Sequence, residues 1–342
     1  MLLSVALPQL WPVVWLDRVR ARVLLTAGPW LRPVLLERDK RAAFIATVAG
    51  LVALFGMLVA PLWWLALAPL VWGVPHLLAD IRYLLVRQGM LRQRLWVGLG
   101  LIGVTAAVLS YGVRATLVAA VLALLLPLAG IQRRLLVAAV LLPLTSAALW
   151  AGWWADYLLA HGHNVIAFGL WWLWRPRRSA WKFAPLLAFL GGTAVLLSPL
   201  ADGLLAWLGG AERLPPGMDW SALTTSLGAA VPETSPWAMR LVLWYGFAQA
   251  MHYAVWLHLL PSDDRPHPTP RSFSSSLRAW QRDLGWPLLV LALVVSLGLG
   301  GLALSDLQLA RNSYFTLAAA HGHVELLAAV WLALRGVQRA AP

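Results

Sequence analysis

Residues 42–60 read AAFIATVAGLVALFGMLVA, a run without a single charge, and the rest of the chain repeats this texture almost to its end. About 20 apolar residues cross a bilayer core as one helix, so the stretch predicts a membrane span. Nine similar stretches follow, at about 62–86, 95–113, 115–131, 135–154, 157–174, 183–208, 238–261, 286–305 and 313–334. The fold class expected is therefore an all-α integral membrane protein with about ten transmembrane helices. Residues 1–41, interrupted by Pro8, Pro12, Pro29 and Pro33, read as an N-terminal interfacial segment and not as a cleaved signal peptide. Residues 42–335 form the polytopic membrane domain, and 336–342 a C-terminal tail.

Composition agrees. Of 342 residues, 61% are hydrophobic and 12% charged, against about 25% charged in an ordinary soluble domain. An ordinary cytosolic enzyme and a disordered chain are both excluded. The 22 Trp suit rings held at membrane–water boundaries. The net charge of +13 comes from short basic clusters between apolar runs, which points away from nucleic acid. All but Arg114, Arg213, Arg240 and Arg311 of the 27 Lys and Arg fall on one side when the ten spans alternate. The positive-inside rule then makes that side, and both termini, cytoplasmic; a bacterial plasma membrane is the expected location. The external loop 209–237 and the cytoplasmic loop 262–285 are turn-rich and long enough to act as lids. With no Cys, thiolate metal sites and disulfides are out.

The histidines carry the chemistry. Six of the eight, His76, His161, His163, His252, His321 and His323, fall inside predicted spans, all on helices that cross in the same direction. Counted from the outer ends, His76 and His252 lie deepest, His321 and His323 slightly shallower, and His161 and His163 shallowest. Asp80 follows His76 by four residues and Glu325 follows His321 by four, so each pair shares a helix face. A buried carboxylate needs partners. The set suits a metal, with His76, His161 or His163, His252, and His321 or His323 as ligands. Asp80 and Glu325 would orient them, complete the coordination or take catalytic roles. Residues two apart on a helix point about 200° from one another, so each His-Gly-His element sends one ring to a common metal unless the helix is distorted at Gly162 or Gly322. The plainer reading of any single one is interhelical hydrogen bonding. His258 reads as interfacial and His267 as solvated. Arg82 is a possible partner of Asp80, while Asn164, Gln249 and Tyr253 could donate to a bound ligand. Trp171 and Trp174 belong with the boundary tryptophans; Trp72, Trp244, Trp256 and Trp331 are deep enough to line an apolar cavity.

The run Gly73-Val74-Pro75-His76-Leu77-Leu78-Ala79-Asp80 resembles the Pro-His-x-x-x-Asp signature of the Brp/Blh family of membrane β-carotene dioxygenases. The order of histidines along the chain is also similar. The close pair His252 and His258 departs from the family's narrower spacing, and the His-Gly-His elements have no counterpart in its pattern. The resemblance implies His76 as a ligand of catalytic iron with Asp80 beside it, and O₂-dependent cleavage of a carotenoid.

Together these point to a membrane metalloenzyme, a non-haem iron oxygenase acting on a lipid-soluble substrate. Its partners would be that small molecule and membrane lipids; the oligomeric state is not legible. The alternatives are a proton- or metal-coupled transporter using the same His, Asp and Glu residues, and a haem-binding membrane protein.

Overall fold

A chain in hydrocarbon must satisfy its backbone polar groups internally, and apolar runs do so as helices. In the computed structural model, residues 11–26, 28, 31–174, 179–228, 231–232, 235–265 and 269–337 are described, and every regular element among them is helical. The helices are α1 (Trp11–Thr26), α2 (Leu31–Leu36), α3 (Arg38–Val59), α4 (Pro61–Val86), α5 (Arg94–Ala106, extended by a π turn at Ala107–Tyr111), α6 (Gly112–Ala123), α7 (Ile131–Ala151) and α8 (Trp153–Trp174). They continue as α9 (Ala184–Leu196), α10 (Pro199–Trp207), α11 (Trp220–Leu227), α12 (Pro236–Ala254, carried on through a π turn to Asp263), α13 (Phe273–Ser305), α14 (Leu307–Ala318) and α15 (His321–Arg335). Residues 1–10 of the interfacial segment, His267 and residues 338–342 lie outside the described residues.

By length and apolarity, six helical stretches among the described residues can cross a membrane, and a bent pair around α9 and α10 makes a possible seventh. Two helices that fail this test, α8 and α12, carry three of the buried histidines. Polar side chains lower their mean hydropathy, yet they lie at the centre of the molecule. In α12, Ala238, Val242, Leu243, Phe247, Ala248 and Met251 are fully enclosed. The outer α3 shows how that centre is packed. Ala42, Ala46, Gly50, Ala53 and Met57 form its buried stripe, while Phe44, Val48, Leu51, Val52 and Phe55 face outward. Small residues let helices approach closely in a membrane, where large apolar ones gain nothing by leaving lipid.

Two glycines set helix breaks that length alone conceals. Gly112 has φ +58°, a conformation costly for any side chain. There the chain folds back, so that Gly103 of α5 lies against Thr116 and Ala119 of α6. Asp156 closes the turn by accepting the Val113 N–H at 2.5 Å. Gly285, at φ +79°, likewise breaks α13 between a helical stretch within the predicted cytoplasmic loop and the apolar stretch 286–305. The loop predicted to be external also has structure of its own, including α11.

The tryptophans divide. Trp150 and Trp207 are 91% and 81% exposed, as a boundary belt requires, but Trp171 and Trp174 are each only 1% exposed. The sequence expectation for those two is corrected: they are core residues, and Trp174 packs edge-on against Tyr83.

Candidate metal centre

Four helices bring imidazoles to one point. His76 comes from α4, where Pro75 lacks an N–H and its ring opposes the carbonyl four residues back. The helix there widens into a π turn over Pro69–Gly73. His252 comes from α12, which widens in the same way over Val255–Leu259, just ahead of Pro261. Such π turns re-aim side chains within a helix and recur at functional sites.

His76 Nε2 and His252 Nε2 lie 2.7 Å apart. Glu325 Oε1, from α15, is 3.3 Å from His252 Nε2 and 3.9 Å from His76 Nε2. Asp80 Oδ2 is 3.2 Å from His76 Nε2. One ligand atom from each of His76, His252, His321 and Glu325 lies within 4.8 Å of the others. The His163 ring closes the group, with its centroid 5.2 Å from that of His252 and 5.0 Å from that of His321.

Hydrogen bonds fix two tautomers. His163 Nδ1 is 3.1 Å from the Leu159 carbonyl, and His321 Nδ1 is 2.6 Å from the Ala318 carbonyl. A carbonyl only accepts, so both Nδ1 atoms donate and leave their Nε2 atoms as lone pairs. This is the outer support usually seen for a metal-bound imidazole. Between His76 and His252, two lone pairs at 2.7 Å would repel, so a proton or a cation must lie between them. His76 Nδ1, His252 Nδ1 and both oxygens of Asp80 and Glu325 are buried without a hydrogen bond of good geometry. A cation would draw the lone pairs together; a lone proton would leave most of these groups unpaired, at a cost of about 1–3 kcal/mol each.

Each His-Gly-His element separates its rings, as a regular helix requires. His163 and His321 join the cluster. His161 points elsewhere, stacked on Trp244 at 5.7 Å with its Nδ1 donating to the Tyr157 carbonyl. His323 meets Thr116 Oγ1 at 3.0 Å. Gly322 lies beside the His163 ring, where a Cβ would stand at 3.6 Å, in ordinary van der Waals contact. Arg82 does not pair with Asp80. Its guanidinium instead reaches Asp283 Oδ2 at 2.8 Å, and Arg87 binds the same oxygen at 3.3 Å.

Tyr314 had no signal of its own in the sequence. Its ring is enclosed against Gly73, and its hydroxyl is 3.5 Å from that of Tyr253. Tyr253 in turn lies 5.1 Å from the His76 ring. Only the proximity of Gly73 to His76 hinted that something bulky approaches there. Of the remaining candidates, Asn164 and Gln249 are buried, and Trp256 lies 6.3 Å from the His252 ring. Trp331 packs against Trp96 with its ring tilted, centroids 5.3 Å apart. His258 is exposed; with Trp64, Trp72 and Tyr253 it borders a cavity of about 120 Å³. A second, more apolar cavity of about 300 Å³ is lined by Leu117, Leu144, Leu159, Gly162 and Leu326; of these, Gly162 and Leu326 adjoin His163 and Glu325 in the chain.

Comparison with protein-family models, characterised proteins and solved structures finds no match.

Proposed function

We propose that the cluster is the metal centre of a membrane-embedded oxidoreductase, a non-haem iron oxygenase that acts on a lipid-soluble substrate such as a carotenoid. The observation that carries this reading is the convergence of His76, His252, His321 and Glu325 on one enclosed point. His163 stands as a further ligand, and neutral imidazoles with a carboxylate suit iron. Iron, when bound, would supply O₂ activation and oxidation of a double bond. The chain's residues hold it and exclude water: Glu325 provides a carboxylate oxygen, Asp80 offers a second one beside His76 Nε2, and the backbone carbonyls of Leu159 and Ala318 keep the His163 and His321 lone pairs inward. The apolar cavity beside Gly162 and Leu326 offers a hydrocarbon substrate a way in from the bilayer.

Haem fits less well, because His163 and His321 fill the flanks of the His76–His252 pair where a porphyrin would lie. In this reading the helix breaks at Gly112, Gly152 and Gly285 divide the chain into ten crossings, with α8 and α12 among them and both termini cytoplasmic in a bacterial plasma membrane. The distribution of arginine supports that orientation.

The test is metal analysis, visible absorption and O₂ uptake on detergent-purified protein supplied with Fe²⁺ and a polyene. Near-stoichiometric iron, no Soret band and polyene-dependent O₂ uptake are expected. A Soret band would replace the reading with haem. Metal or proton flux in proteoliposomes without O₂ uptake would replace it with transport.

A further inference from the structure

The cavity beside Gly162 and Leu326 has a neighbour. Its wall includes Ile166 of α8, and Ile166 also borders a larger cavity of about 450 Å³ between α8 and α15. That larger cavity is lined by Gly169, Leu170, Leu173, Ala329, Leu332 and Val337, with Arg133 of α7 as its one charged wall residue. Along α8 the two linings together run Ala155, Leu159, Gly162, Ile166, Gly169 and Leu173. These are spaced by three or four residues and therefore share one helix face. At 1.5 Å per residue the face is about 27 Å long, close to the about 30 Å hydrocarbon core of a bilayer. A Cβ at Gly162 or Gly169 would meet no atom within 4 Å, so the groove is open over both.

Arg133 marks one end. Its Nη2 and Nη1 would lie 3.6 and 3.8 Å from a Cβ on Gly336, so the guanidinium stands over the C-terminal end of α15. The negative end of that helix dipole draws it there, but no carboxylate pairs with it among the described residues. Two nearby cations are occupied differently. Arg134 donates to the Leu124 carbonyl at 3.4 Å, and Arg335 lies over the Trp331 ring at 5.6 Å. At the other end the lining is Val113, Ala151 and Ala155, all apolar. The groove is thus amphipathic along its length. A guanidinium fork matches a carboxylate, and apolar walls are filled by a hydrocarbon chain.

We infer that this groove binds a long-chain fatty acid, with its carboxylate at Arg133 and its chain running past Ile166 to Gly162 and Leu326. One groove and one guanidinium suit a single chain with a single anionic head. Gly162 and Leu326 adjoin His163 and Glu325 in the chain, so the bound hydrocarbon reaches the helix turns that carry those two residues. The inference goes beyond the oxygenase reading and does not rest on it, because binding needs no metal.

Native mass spectrometry of the chelator-treated full chain, released from detergent, tests it with palmitate, methyl palmitate, octanoate and phosphatidylglycerol as probes. Wild type is expected to retain one palmitate. Methyl palmitate, which loses the charge-assisted contact, and octanoate, which loses half the buried chain, should each bind about tenfold or more weakly. Arg133→Gln should lose the preference for palmitate over its methyl ester. Arg92→Gln, which removes an exposed charge elsewhere, should keep it. Gly169→Leu places its side chain in open space, so it should unfold at or above the wild-type denaturant midpoint and yet retain no palmitate. No palmitate on wild type, equal retention of acid and ester, or equal loss in Arg133→Gln and Arg92→Gln would overturn the proposal. So would palmitate held by a stably folded Gly169→Leu variant. Phosphatidylglycerol that displaces palmitate at equal concentration would overturn it in favour of a membrane phospholipid.

Discussion

Replacing Gly73 with Ala would place a Cβ 2.2 Å from two ring atoms of Tyr314, whereas ordinary contact begins at 3.4 Å. The ring must therefore move by about 1.2 Å, and being 1% exposed it has little room to do so. Overpacking of this kind costs about 1–3 kcal/mol. The alanine returns about 1 kcal/mol of helix propensity, which leaves a net loss of about 0–2 kcal/mol. The ring's displacement should also reach the histidine cluster, because Tyr314 meets Tyr253, and Tyr253 packs on His76. Denaturant unfolding in detergent of Gly73→Ala, Tyr314→Leu and the double variant reads the effect as a thermodynamic cycle. Once the ring is gone, Gly73→Ala should become neutral or stabilising, giving a coupling of about 1–3 kcal/mol. Penalties that simply add, with no coupling between the two sites, would refute the close approach of Tyr314 to α4.

Three further outcomes follow from the same contacts. Asp283→Ala should destabilise more than Arg82→Met, because it strands the 2%-exposed Arg82 side chain; the loss should approach the about 3 kcal/mol typical of a broken buried pair, measured by the same unfolding assay. Burial raises the Asp17 carboxyl, but hydrogen bonds from Ser274 and Phe273 and the charge of Arg20 overcome it and hold the group below its ordinary value. The docking of α1 should then be fully present above about pH 4 and fade as pH falls through the lowered pKa. Hydrogen-exchange protection of residues 11–26 measures this, and Asp17→Asn should weaken protection at neutral pH already. Gly322→Ala should leave stability within about 1 kcal/mol of wild type, since its Cβ would make only ordinary contact with the His163 ring; a large loss of unfolding midpoint would contradict that geometry.

Much of the site was legible because polar groups in apolar runs are costly and therefore informative. His76 and His252 fall at matched depth by simple counting, with His321 slightly shallower, and the structure brings them together. His163 looked too shallow because its helix was taken to start at residue 157; it starts at Trp153, and four more residues add about 6 Å of depth. The division of each His-Gly-His element follows from helical geometry, but which ring turns inward depends on helix neighbours, and a single sequence does not specify these. The same blindness applies to Arg82. Its nearest carboxylate in the chain is Asp80, yet its partner Asp283 lies two hundred residues away, on a helix within what the sequence showed only as a polar loop. Apolarity in turn singles out neither α8 nor α12: both carry polar groups, so the features that mark the site also lower the hydropathy by which a span is read.

The central claim is that one ring of each His-Gly-His element belongs to a metal centre and the other does not. The most direct measurement is bound metal per chain after Fe²⁺ loading and desalting, by elemental mass spectrometry, for His163→Ala against His161→Ala and for His321→Ala against His323→Ala. Wild type, His161→Ala and His323→Ala are expected to hold near-stoichiometric metal, while His163→Ala and His321→Ala lose most of it. Equal retention within each pair, or no metal held by wild type, would contradict the assignment.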